Sequence, residues 1–196
     1  MGFRPPTGDI AFAIRAVAGP DAGSDGELAP DTLGAILDAA ARFASETLAP
    51  LNRAGDRNGV RLDDGAVTTA HGWRDAYAAF AADGWTGLGA PPEAGGQGLP
   101  VSVQMAVEEM WNAANAAFAV NPMLTAGAIR LIAAHGGPEL KAALLPGLVS
   151  GRWTGTMNLT EPQAGSDLAA LAARAGPGAD GTWRVSAKTF WDKPGA

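Results

Sequence analysis

The stretch GTMNLTEPQAGSDL, residues 155–168, is not written as a simple helix or strand. Within a few positions it sets the Thr160 and Ser166 hydroxyls beside the Glu161 and Asp167 carboxylates. Pro162 fixes its own φ and pushes Glu161 out of the helical region. Gly165 admits a positive φ and lets the backbone approach a ligand closely. The N–H groups around Ala164 to Ser166 can form an anion-binding concavity, with the Ser166 hydroxyl as a further donor. Thr160 adds a donor and acceptor at the end of an apolar run. By its residues alone this is a turn suited to a phosphate or pyrophosphate plus a polar ring edge. The commoner meaning of such a string is a plain turn.

Upstream the pattern is helical. Residues 9–18 carry Ile10, Ile14 and Val17 on one side. A helix capped by Asp31 is expected to run to Leu48, with Leu33, Ile36, Leu37, Ala40 and Phe43 as its stripe and Pro50 as its stop. Residues 51–70, with Asp56, Asp63 and Asp64, read as a long solvated loop; their spacing lacks the glycine and glutamate of an EF-hand. Trp73, Tyr77 and Phe80 mark a helix over 72–83, ended by Gly84, and that stripe reads as core. Residues 84–100 hold six glycines and three prolines, too many for regular structure, and lack the P-loop pattern. Separate helices are expected over 101–118 and 122–135, and another from Pro138 to Ser150.

After Gly151 the period changes. Residues 153–159 and 182–191 read as strands, with residues 176–181 as a turn. The fold class is therefore mainly α: a helical domain of about five helices followed by the start of a β domain. The boundaries fall at 1–30 for an extension and linker, 31–152 for the helical domain and 153–196 for the partial β domain.

Composition narrows the function. Net charge is −6, so no basic surface exists for nucleic acid. There is no cysteine, which excludes thiolate catalysis and zinc–thiolate sites. His71 and His135 stand apart without an obvious carboxylate partner, so no metal site is expected. No run of ~18 consecutive apolar residues suggests a membrane span. Asp9 and Arg15 interrupt the N-terminus where a signal peptide needs an apolar core. A soluble, cytoplasmic protein is the expectation.

Several strings together are more specific than any one of them. TEPQAGSD (160–167), LAPLNRAGDRNG (48–59), DGAVTTAHGWRDAY (64–77), GWTGLGAPPEAGGQGLP (84–100) and WTGTMNL (153–159) closely resemble the acyl-CoA dehydrogenase family. The resemblance runs over about residues 3–190. It is strongest to a subgroup with an extra N-terminal segment, matched here by RPPTGDIAFAI, that includes enzymes for long-chain and 3-methylthiopropanoyl-CoA. It implies FAD enclosed by an N-terminal helical domain, a middle β domain and a C-terminal helical domain. It also implies oxidation of the Cα–Cβ bond of an acyl-CoA thioester, an electron-transfer acceptor as partner, and a homo-oligomer.

Carried over residue by residue, the resemblance puts Met157 near the flavin face. Leu159 and Thr160 meet the pyrimidine edge, and Gly165 and Ser166 meet the pyrophosphate, with Ser166 also near the thioester. Phe190 packs on the isoalloxazine ring. The run after Lys188 departs from the family pattern. Asp192 stands where a hydroxyl approaches flavin N5, and a carboxylate there repels the charge of a reduced ring. The family's base is a glutamate of the C-terminal domain, whereas this chain stops at Ala196, thirty residues after Ser166. No catalytic residue is therefore expected here, and Glu161 and Asp167 are expected to bond within their own turn. Two other readings remain beside the dehydrogenase: a non-catalytic remnant, and a helical module that pairs with a chain supplying the missing half. On either, the chain alone holds FAD weakly and turns nothing over.

Overall fold

The computed structural model describes residues 2–18 and 28–187. It falls into two compact units, Met1–Gly155 and Thr156–Lys193.

The first unit is helical. Helix α1 (Thr7–Ala13) runs into a π turn, Ile14–Ala18. Helix α2 (Pro30–Arg42) begins one residue before Asp31, with Pro30 in its first turn, so Asp31 contributes charge near the N-terminus rather than a cap. Pro50 does not stop the chain. A second π turn, Phe43–Leu48, intervenes, and the Ala49 N–H bonds back to the Ala44 carbonyl. That widened turn delivers Pro50 to the first turn of α3 (Ala49–Asn58), where its missing N–H costs nothing.

The expected long loop at 51–70 is thus mostly structured. After α3 come β1 (Arg61–Asp63) and β2 (Ala66–Thr68), paired antiparallel with Asp63 opposite Ala66. The two-residue connection is Asp64-Gly65, with φ of 47° and 79°. Positive φ at both positions matches the strand twist, and Asp-Gly is the usual pair there. Asp56, Asp63 and Asp64 therefore lie on a helix, a strand and a turn.

Helix α4 (Trp73–Ala82) ends at Gly84, φ 77°, as expected. The segment from 84 to 100 forms two short 3₁₀ turns, pinned by Gln97 N–H to Gly87 O and Leu99 N–H to Leu88 O. Helix α5 (Val101–His135) is continuous in hydrogen bonding but broken at Asn115, where φ is −160° and ψ 86°. The break falls at Asn115 rather than between 118 and 122 because Asn115 caps the second arm. Its Oδ1 accepts the Phe118 N–H at 3.1 Å while its Nδ2 donates to Leu48 O. Pro122 lies inside that arm.

The two arms double back on each other. Arg130 donates to Gln104 at 2.6 Å across 26 positions, which a straight helix would separate by about 39 Å. By length and composition α5 is the one described helix apolar enough to cross a membrane, but folded at Asn115 it is a hairpin that contributes Val107, Met110, Trp111 and Phe118 to the core.

Phe80 is the centre of that core. It is fully buried and meets Trp111 at 4.7 Å, Phe118 at 5.7 Å and Phe43 at 5.8 Å between ring centroids. Such edge and tilted pairs add about 0.5–1.5 kcal/mol each beyond area burial. Helix α6 (Pro138–Val149) starts at Pro138 as expected and packs Leu145, Leu148 and Val149 against Ile129 of the second arm.

The second unit is small. Strands β3 (Arg174–Pro177) and β4 (Trp183–Ser186) form an antiparallel hairpin. Its turn is tied by Asp180, whose Oδ1 accepts from the Thr182 hydroxyl at 2.6 Å and from the Thr182 N–H at 3.1 Å. These bonds hold the Asp180 carboxyl below its ordinary range. The strand expected over 153–159 does not form. Among the described residues no segment pairs with it, and an unpartnered strand is not stable. Instead Trp153 turns back onto the end of α6, its N–H on Gly147 O at 3.0 Å.

Candidate functional site

The candidate site is the turn at 157–173 in the second unit. It is built around Glu161. The Glu161 and Ala164 backbones exchange two hydrogen bonds, 3.1 and 3.0 Å, closing a tight turn over Pro162 and Gln163. The Glu161 side chain, only 3% exposed, then reaches across the turn. Oε2 accepts the Ala172 N–H at 2.9 Å, and Oε1 the Ala173 N–H at 2.7 Å. Gln163 Nε2 donates to Oε2 and also to the Ala170 carbonyl at 3.2 Å. The Ala172 N–H and then the Gln163 amide hold the Glu161 carboxyl below its ordinary value. Asp167 caps the short turn Leu168–Ala170 by accepting the Ala169 N–H at 3.1 Å. Both carboxylates therefore bond within their own loop, as expected from the sequence.

Between these two anchors lie Gly165 and Ser166, both exposed. The Ala164 N–H is consumed by the turn, so the anion-facing pair narrows to the N–H groups of Gly165 and Ser166. Gly165 does not use a positive φ. Its distinction is space: a Cβ built on it meets no atom within 4 Å. Thr160 is exposed immediately before the clamp. Met157 and Leu159 are apolar yet 52% and 37% exposed. Phe190 and Asp192 lie outside the described residues.

Chemically, this is a turn braced by Glu161 that offers N–H groups unengaged among the described residues, and a hydroxyl, near two uncovered apolar side chains. Glu161 is expected from the sequence to bond within its turn; the reach of its carboxylate to Ala172 and Ala173 goes further. Its signal is a glutamate immediately before Pro162, upstream of the small residues Ala172 and Ala173, whose amides it ties.

The helical unit has a separate groove of about 700 Å³. Trp73, Tyr77, Phe118 and Asn121 wall it, and Arg74 and Arg152 line it as well. Tyr77 donates to Gly151 O at 3.0 Å, and burial raises its hydroxyl above the ordinary value, so it remains a donor. Gly55 is required here, because a Cβ would strike the Trp73 indole at 2.5 Å. The Asp56 carboxylate lines it too, so the groove sets apolar walls beside charges of both signs. The stripe of Trp73, Tyr77 and Phe80 thus divides: Phe80 is core, and the other two also face the groove. His71 and His135 are exposed.

A helical unit with a hairpin helix, followed by a clamped Gly-Ser turn, defines a class that comparison makes specific. Residues 30–152 match the family model for the acyl-CoA dehydrogenase N-terminal domain, and the chain belongs to the acyl-CoA dehydrogenase family. It is 42% identical over 192 residues to 3-methylmercaptopropionyl-CoA dehydrogenase of Ruegeria pomeroyi, covering 95% of this chain and 32% of that protein. It is 33% identical over 150 residues to a butyryl-CoA dehydrogenase of Syntrophomonas wolfei, covering 75% and 24%. The fold is also that of a Bacillus anthracis acyl-CoA dehydrogenase solved with FAD, with a TM-score of 0.66 at 24% identity over 81% of this chain and 26% of that one. The chain thus spans a third or less of the length of these relatives.

Proposed function

We propose that this chain provides the helical domain and the flavin-gripping turn of an FAD-dependent acyl-CoA dehydrogenase. The observation that carries this reading is the Glu161 clamp, which fixes a turn whose Gly165 and Ser166 N–H groups are unengaged among the described residues. The open space at Gly165 admits a pyrophosphate against those N–H groups, and the Ser166 hydroxyl adds a third donor. Exposed Met157 and Leu159 suit the apolar ring system, and Thr160 suits its polar edge. FAD, when bound, supplies the hydride acceptor for the β-carbon of the thioester.

The reaction also needs a carboxylate for the α-proton. Glu161 cannot serve, because its oxygens are occupied by Ala172, Ala173 and Gln163. Asp167 is engaged as a cap. We place the base on a C-terminal helical domain. The substrate is an acyl-CoA thioester, and an electron-transfer protein takes up the electrons. The first substrate to assay is 3-methylmercaptopropionyl-CoA, because the relative from Ruegeria pomeroyi carries that name.

The test is a titration of the purified chain with FAD, followed by an assay with that thioester and an artificial electron acceptor. FAD binding without turnover is expected. Absence of any FAD response would overturn the flavin reading, and turnover by the chain alone would overturn the placement of the base.

A further inference from the structure

Away from the turn, the hairpin of α5 encloses a small polar chamber of about 20 Å³. Trp85, Trp111, Gln104, Glu108 and Arg130 are among its walls. The indole Nε1–H groups of Trp85 and Trp111 are both buried and have no acceptor among the described residues. Trp111 is only 3% exposed. A buried donor without a partner costs about 1–3 kcal/mol, so two beside one chamber call for an explanation.

The remaining polar groups are ordered around the same space. Arg130 donates to Gln104 Oε1, and Gln104 Nε2 donates to Glu108 Oε1 at 2.7 Å. This fixes the orientation of the Gln104 amide, cation on one side and carboxylate on the other. Glu108 lines the chamber, and its second carboxylate oxygen has no partner among the described residues. Gly89 completes the wall, since a Cβ there would collide with Gln104 Oε1.

We infer that this chamber is a binding site for one ordered water molecule, shared by Trp85, Trp111 and Glu108. The volume suits a single water, which needs about 10–15 Å³ and two to four polar partners. The water accepts from the two indoles and donates to Glu108. It thereby links the 84–100 segment, through Trp85, to the first arm of the helical hairpin, through Trp111 and Glu108.

The test is a crystal structure of the chain at a resolution that shows ordered water, with water–indole cross-relaxation measured by NMR. One density peak within about 2.7–3.2 Å of both indole nitrogens is expected. In solution, the Trp85 and Trp111 indole protons should show a long-lived water contact that exposed Trp153 and Trp183 lack. Glu108→Gln keeps an acceptor and should retain the peak, whereas Glu108→Leu should lose it. No peak, a peak touching only one indole, or indole protons behaving like those of Trp153 would overturn the site. If Glu108→Leu does not fold, the wild-type and Glu108→Gln readouts decide the matter alone.

Discussion

The Glu161 carboxylate accepts the backbone N–H of Ala173 at 2.7 Å, twelve positions further along the chain. A side chain that could have served as a base is instead the brace of the candidate flavin turn. Replacing it with alanine should release the Ala172 and Ala173 amides and loosen residues 161–173 while the helical unit keeps its stability. Hydrogen exchange read residue by residue checks this. Faster exchange confined to the second unit is expected, and unchanged protection at Ala172 and Ala173 would contradict the brace.

The same brace sets a pH dependence. The Glu161 carboxyl is lowered from its ordinary value of 4.5, so its contribution is complete above that value. It is lost as pH falls through the lower, folded-state value. Loosening of the turn should therefore begin only below about pH 4.5 and be absent in Glu161→Gln, which has no charge to lose. Amide exchange or chemical shifts of Ala172 followed down the acid range test it.

Asn115 holds the hairpin of α5 together with two bonds from one buried amide. Asn115→Ala removes the cap of the second arm and strands the Leu48 carbonyl. A loss of about 2–3 kcal/mol is expected, combining an N-cap with a buried unsatisfied acceptor. Asn115→Asp keeps an acceptor for the Phe118 N–H but sets a buried carboxylate oxygen against Leu48 O, so it should be no milder than alanine. Denaturant unfolding of the three proteins gives the order.

Phe80→Ala empties the centre of the aromatic cluster and should cost about 3–5 kcal/mol. Trp153→Ala, at an exposed ring, should cost far less. The ratio of the two, from thermal or denaturant melts, reports whether Phe80 is the organising core residue.

The sequence made the helices legible where apolar spacing was strict, as in Trp73–Ala82 and Pro138–Val149. It misplaced boundaries where the backbone departs from 3.6 residues per turn. The π turn at Phe43–Leu48 moved Pro50 into a first-turn position, and no periodicity rule anticipates that. The Asp64-Gly65 hairpin was readable from its dipeptide but was masked by the polar residues around it. Apolar spacing ends one helix at Phe118 and starts the next at residue 122, whereas the break falls at Asn115, whose capping bond leaves no periodic signal. At the candidate site, residue types identified the turn. Which N–H groups stay unengaged depends on Glu161 reaching across to Ala172 and Ala173, and that is a tertiary fact.

The central claim is that the Gly165–Ser166 turn grips the flavin pyrophosphate. Gly165→Val tests it, because the added side chain enters open space and should leave stability within about 0.5 kcal/mol. The measurement is the backbone amide spectrum of wild type and variant during titration with FAD, which registers weak as well as tight binding. In the wild type the Gly165 and Ser166 resonances should shift first and furthest, and in Gly165→Val the response should largely vanish. Equal shifts in both proteins, or shifts that bypass residues 157–166, would contradict the account.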